Sequence, residues 1–169
     1  MRFRVLFIGR PALGGGLPSG GVLSVGRSAC ARRGQIAAAH YETLDSLGLT
    51  AQESMAIGGE VGDRVQASLL SVVFRVAKGS GVTPWTACPM YPRPWERMFL
   101  GGDCRVVKLG PKEARFDNFG VPLCRYDYFR SAWRGMAHAA LSLFSRKVFV
   151  NEVQSSRTST GFAFRASWV

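Results

Sequence analysis

The sequence predicts an α+β domain in which a small antiparallel sheet packs against two or three helices, preceded by a basic, glycine-rich N-terminal arm. Two periodicities carry that expectation. Residues 161–169 alternate strictly, with Phe162, Phe164, Ala166 and Trp168 on one side and Arg165 and Ser167 on the other, the period of a half-buried strand. Residues 126–145 place Phe129, Trp133, Met136, Ala140 and Phe144 at steps of four, three, four and four, the stripe of an amphipathic helix. Size and composition agree: 169 residues with 47% hydrophobic content exclude a wholly disordered chain. Surface scaling lets a chain of this mass bury roughly 69% of its extended surface, so a core needs neither disulfide nor metal.

Taken in order, residues 1–41 form the arm. They hold six arginines and no acid, among them Arg32 and Arg33. Rich in Arg, Ser, Gly and Ala, the stretch has the composition of an organellar targeting segment, whereas Arg10 cuts its apolar run too short for a secretory signal. Two structured readings stay beside that one: an ordinary arm, or a strand at 4–8 followed by a phosphate loop at 14–21. GGGLPSGG lacks the Lys-Ser/Thr of a P-loop, and Pro18 removes a backbone donor. Residues 42–169 are expected to fold as one globular domain.

That domain opens on an acidic collar. Residues 42–63 carry Glu42, Asp45, Glu53, Glu60 and Asp63 and no base. Residues 35–49 predict a helix ending at Gly48. Thr50-Ala-Gln-Glu53 is a capping box for a second helix, expected to be short because Gly58 and Gly59 follow. Residues 63–77 repeat Val65, Leu69, Val72, Val73 and Val76 on one stripe, with a strand as the competing reading. Residues 79–95 read as a proline-rich loop, and 97–109 as a hairpin turning at Gly101-Gly102-Asp103 and closed by Gly110-Pro111. After the helix at 126–145, residues 147–153 give one more strand, joined to the last by the polar loop SSRTSTG.

Little in the chain suggests catalysis. Cys30, Cys88, Cys104 and Cys124 are spaced without a C-x2-C pair or a histidine at ligand distance, so neither metal nor cofactor is expected. His40 and His138 are the two histidines, and no nucleophile elbow marks a serine. Net charge is the stronger signal: 22 Lys+Arg against 11 Asp+Glu give +11, the balance of proteins that lie on phosphate. Within 115–134, half the positions are Arg or aromatic. Arg115, Arg125, Tyr126, Arg130 and Arg134, with Arg32 and Arg33, are the expected nucleic-acid contacts, because guanidinium groups pair with phosphates and rings stack on bases. The competing reading has the same segment as core, since Phe129 and Trp133 are needed for the helix's buried face. Trp85, Tyr91 and Trp95, held among prolines, are the expected contacts to neighbouring protein subunits, unless they fold back onto the core.

SMAIGGEVGDRVQASLLSV at 54–72, followed by DYFRSAWRGMAHAALSLF at 127–144, resembles the order of segments in picorna-like virus capsid proteins, where a Gly-Glu-led helix precedes an aromatic segment ending in an Arg-Gly pair, here Arg134-Gly135. The resemblance implies a capsid or other viral structural protein. The expectation drawn from the residues themselves is a non-catalytic basic subunit of a large assembly, an organellar, mitochondrial ribosome or similar ribonucleoprotein. It would contact RNA or another polyanion and carry no transmembrane segment. An accessory subunit of a mitochondrial membrane complex and a small enzyme with an unrecognised site are the remaining alternatives.

Overall fold

The computed structural model describes residues 22–69, 83–99 and 101–169. The expected strand at 4–8, the glycine loop at 14–21 and the part of the valine stripe beyond residue 69 lie outside them. Among the described residues the fold is α+β: four helices, besides single helical turns, against one four-stranded antiparallel sheet.

Helix α1 spans Val22–Ser46, beginning well before residue 35 and passing continuously through residue 41. It stops where expected, at Gly48, whose φ of 65° is a left-handed conformation that a side chain disfavours. The capping box also forms: the Thr50 N–H donates to Glu53 Oε2 at 2.8 Å, and the Glu53 N–H donates to Thr50 Oγ1 at 3.2 Å.

Helix α2, Ala51–Leu69, corrects the expectation of a short helix. It runs straight through Gly58, Gly59 and Gly62, because Gly58 and Gly62 make room for helix α4, Asp127–Ser142. A methyl group at Gly58 would land on the Ala132 carbonyl, and one at Gly135 on the Met55 carbonyl. At Gly62 it would stand 3.1 Å from the Ala139 Cβ. Each mid-helix glycine costs about 1 kcal/mol in propensity. Backbone-to-backbone contact along the crossing offsets that cost, through dispersion that bulkier residues would prevent.

The proline-rich stretch is not a loop, which is a second correction. Pro84–Ala87 form one helical turn, Cys88–Met90 a 3-10 turn, and Pro92–Met98 helix α3. Pro84, Pro89 and Pro92 sit in the first positions of these turns, where an amide N–H has no intrahelical partner to lose.

The third correction concerns the hairpin. Strand β1 is Asp103–Gly110 and pairs with β2, Glu113–Phe119, through a turn at Pro111-Lys112. Residues 97 and 98 belong to α3. Gly110-Pro111 therefore makes the turn rather than closing a hairpin. Strand β2 escaped the sequence reading because its inward set, Ala114, Phe116 and Asn118, includes a polar residue.

Strands β3, Val148–Val153, and β4, Phe162–Trp168, form as expected and pair in antiparallel register. The sheet order is β1-β2-β4-β3. Phe116, Phe162, Phe164, Ala166 and Trp168 point into one core with Trp95, Leu123, Phe129 and Trp133. Helix α4 lies between that core and α2, so its residues are buried on two sides. On the sheet's other side Arg105, Arg165, Phe149 and Asn151 are exposed.

Candidate nucleic-acid interface

The residues predicted to meet RNA divide sharply by location. Arg130 and Arg134, a turn apart on α4, are buried (5% and 7% exposed) and converge with Arg157 on the Glu152 carboxylate. Arg130 Nε donates to Glu152 Oε1 at 3.0 Å, and its Nη1 reaches the carbonyls of Cys124 and Arg125 at 2.8 and 2.9 Å. Arg157 donates to both carboxylate oxygens, at 2.7 and 2.9 Å. Asp127 contacts Arg130 and Arg157 from the solvent side. Arg134 Nη2 donates to Ser131 Oγ at 3.0 Å and lies 3.9 Å from Glu152, while its buried Nε has no partner among the described residues. Burial pulls both buried guanidinium groups below their ordinary pKa, against the pull of Glu152. These two arginines tie α4 to β3 and are not presented to a ligand.

Tyr126 is also buried, stacked on Tyr41 of α1 at 6.3 Å between ring centroids. Arg125 remains exposed, lying over the Tyr126 ring at 4.7 Å and donating to its hydroxyl. Next to them α4 begins without a capping side chain of its own. Asp45, at the end of α1, supplies the cap: its carboxylate accepts the N–H groups of Asp127 and Tyr128 at 3.0 and 2.7 Å. Leu44, Asp45, Gly48, Leu49, Ser54, Asp127 and Tyr128 line a cavity of about 250 Å³ at this junction.

Arg115 faces outward from β2, half-exposed and bound to Asp117 at 2.7 Å, with Arg165 opposite it in the sheet register. Arg32 and Arg33 lie on α1, and their side chains fall outside the described residues.

The three aromatics expected on a neighbouring subunit turn inward. Trp95 is fully buried, with its Nε1 unpartnered among the described residues. Tyr91 accepts a hydrogen bond from Trp133 Nε1 and donates to Asn118 Oδ1 at 2.9 Å. Trp85 is half-buried against Trp168 and donates to the Pro111 carbonyl at 2.6 Å. The prolines stiffen the turns that carry these rings back onto the sheet.

The cations without carboxylate partners lie elsewhere. Among the described residues Arg64, Arg93, Lys108, Lys112, Arg125, Arg146 and Lys147 make no ion pair, whereas Arg105, Arg115, Arg130, Arg134, Arg157 and Arg165 all do. Lys108, Lys112, Arg146 and Lys147 gather at one end of the sheet. Backbone bonds define that end: the Trp168 N–H donates to the Lys112 carbonyl at 3.1 Å, and the Val169 N–H to the Lys147 carbonyl at 3.0 Å. The sequence analysis did not single out these four. The signal was a lysine just after Gly110-Pro111 and the Arg146-Lys147 doublet before a strand, both at turns, where side chains reach solvent.

Cys88, Cys104 and Cys124 are free and buried, and burial raises their thiols to about 11, about 12 and about 12. Thiols so raised are not nucleophiles near neutral pH. Among the described residues no group of three His, Cys, Asp or Glu side chains could hold a metal ion, and no helix is long and apolar enough to cross a membrane. No protein-family model matches the chain, and no curated protein sequence matches it either.

Proposed function

We propose that this chain is a non-catalytic, basic structural subunit of a ribonucleoprotein, of the organellar ribosome type and mitochondrial, that contacts RNA through surface cations. The observation that carries the reading is the division of its charge. Arginines inside the fold are neutralised by Glu152 and Asp127, while Lys108, Lys112, Arg146 and Lys147 on the surface have no carboxylate partner among the described residues. Unpaired surface cations release condensed counterions when they replace them on phosphate, and that release drives binding. A structural role fits three buried thiols held protonated and a core dense in aromatic contacts.

Affinity for a single-stranded RNA should therefore depend steeply on salt. Four neutralised phosphates correspond to a log–log slope of about −2.8, hence about a fifty-fold loss between roughly 50 and 200 mM salt. Fluorescence anisotropy with a labelled oligonucleotide measures it. Weak binding at the lower salt that is indifferent to the higher one defeats the proposal.

A further inference from the structure

The structure assigns the RNA contact to the sheet end that carries Lys108, Lys112, Arg146 and Lys147, and it points to single-stranded RNA with Phe149 as a stacking platform. This rests on the RNA reading above and relocates its contact surface away from the Arg/aromatic segment at 115–134. Lys112 lies in the β1–β2 turn and Lys147 at the start of β3, on either side of the end of β4. Two strand spacings separate their backbones, about 10 Å. Arg146 is the residue before Lys147, and Lys108, in register with Ala114, borders this end from the helix-covered face opposite Phe149, its ammonium 5.0 Å from the Trp85 ring. Glu113, whose side-chain carboxylate lies at this end, is engaged by Arg165. The local balance is therefore positive, and it complements a polyanion.

Phe149 makes the surface more than a charge patch. It faces outward from β3, 44% exposed, with the Lys147 ammonium 5.1 Å from its ring centroid. A ring beside a cation is the pairing that holds an unpaired base and its phosphate together. A duplex keeps its bases stacked inside and offers Phe149 none, so the occupant is a single strand. Leu109, 45% exposed near the end of β1, gives sugars and base edges an apolar surface to cover.

The test compares equal charge removals in the full chain, using a labelled single-stranded RNA oligonucleotide. Lys112→Gln with Lys147→Gln should weaken binding about tenfold or more at low salt and flatten the slope by about 1.4. Arg93→Gln with Arg125→Gln removes the same charge from beside Tyr91 and from the start of α4, away from this sheet end, and should change affinity less than about threefold. Phe149→Ala should weaken binding about fivefold or more with the slope unchanged, and Phe149→Tyr should restore it. A thermal melt of each variant checks that the fold is retained. Equal losses from the two charge pairs overturn the sheet-end assignment while leaving the RNA reading standing. Absence of any RNA binding by the unaltered chain removes both. If the Lys112/Lys147 variant keeps its RNA affinity but no longer sediments with phosphatidylserine-containing vesicles, the surface faces a membrane and the proposal is wrong.

Discussion

Glu152 is the residue on which three arginines depend. Its side chain is 2% exposed and receives Arg130, Arg134 and Arg157. Removing the carboxylate leaves buried guanidinium charge uncompensated, so Glu152→Gln should cost about 3–5 kcal/mol in urea unfolding. A loss below about 1 kcal/mol would mean that solvent reaches the cluster. Asp45 acts across elements in a similar way. Asp45→Ala removes the acceptor for two amides at the start of α4 and should cost about 1–2 kcal/mol, with α4 amides exchanging faster. The buried thiols give the pH dependence its sign. Their folded pKa values lie above the ordinary 9.0, so the stability they confer is complete below that value and is lost as pH rises toward about 11 to 12. Urea midpoints should hold from pH 7 to 8.5 and fall progressively above about pH 9; a midpoint unchanged at pH 11 would contradict the burial.

At the scale of elements, the crossing of α2 and α4 separates two adjacent glycines that sequence alone treats alike. Gly58→Ala drives a methyl group into the Ala132 carbonyl and should destabilise by about 3 kcal/mol or more. Gly59 is one residue on, where a methyl would approach nothing nearer than 3.9 Å. Gly59→Ala should instead stabilise by up to about 1 kcal/mol, through helix propensity. Thermal melts of the two variants moving in the same direction would refute this geometry. The proline-rich turns and α3 show the converse relation. Pro84, Pro89 and Pro92 were readable as breakers, yet each sits in the first two positions of a short helical turn, because the packed rings of Trp85, Tyr91 and Trp95 make such short helices worth forming.

Across the whole molecule, a sheet with one face covered by helices leaves its charges on the open face and at the ends. The inner side takes the aromatics from α3, α4 and all the alternating strands, and with them the rings that composition alone made available for partners. Among the described residues of the sheet, the cationic end around Lys112 and Lys147 and the mixed face of Arg105, Arg115, Arg165 and Phe149 stay open. Three arginines on that face already meet carboxylates, and exposed pairs of this kind contribute little to stability. On the RNA reading proposed above, the unpaired end is where ionic strength should act most on binding.

The periodicities of β4 and α4, the Thr50–Glu53 capping box and the stop at Gly48 were legible from the sequence, because each depends on neighbours within a few residues. The α+β class followed from them. The tertiary structure alone decided the rest. Whether Arg130 meets solvent or Glu152 depends on a strand 22 residues away, and whether Gly58 ends a helix or seats one depends on Ala132 in another helix. Asn118 likewise sits in the core, where its Oδ1 accepts from the Tyr91 hydroxyl 27 residues away. Long-range partners of this kind leave no local period. That is why the sequence could count the positive charge but could not say which arginines were internal and which lysines were free.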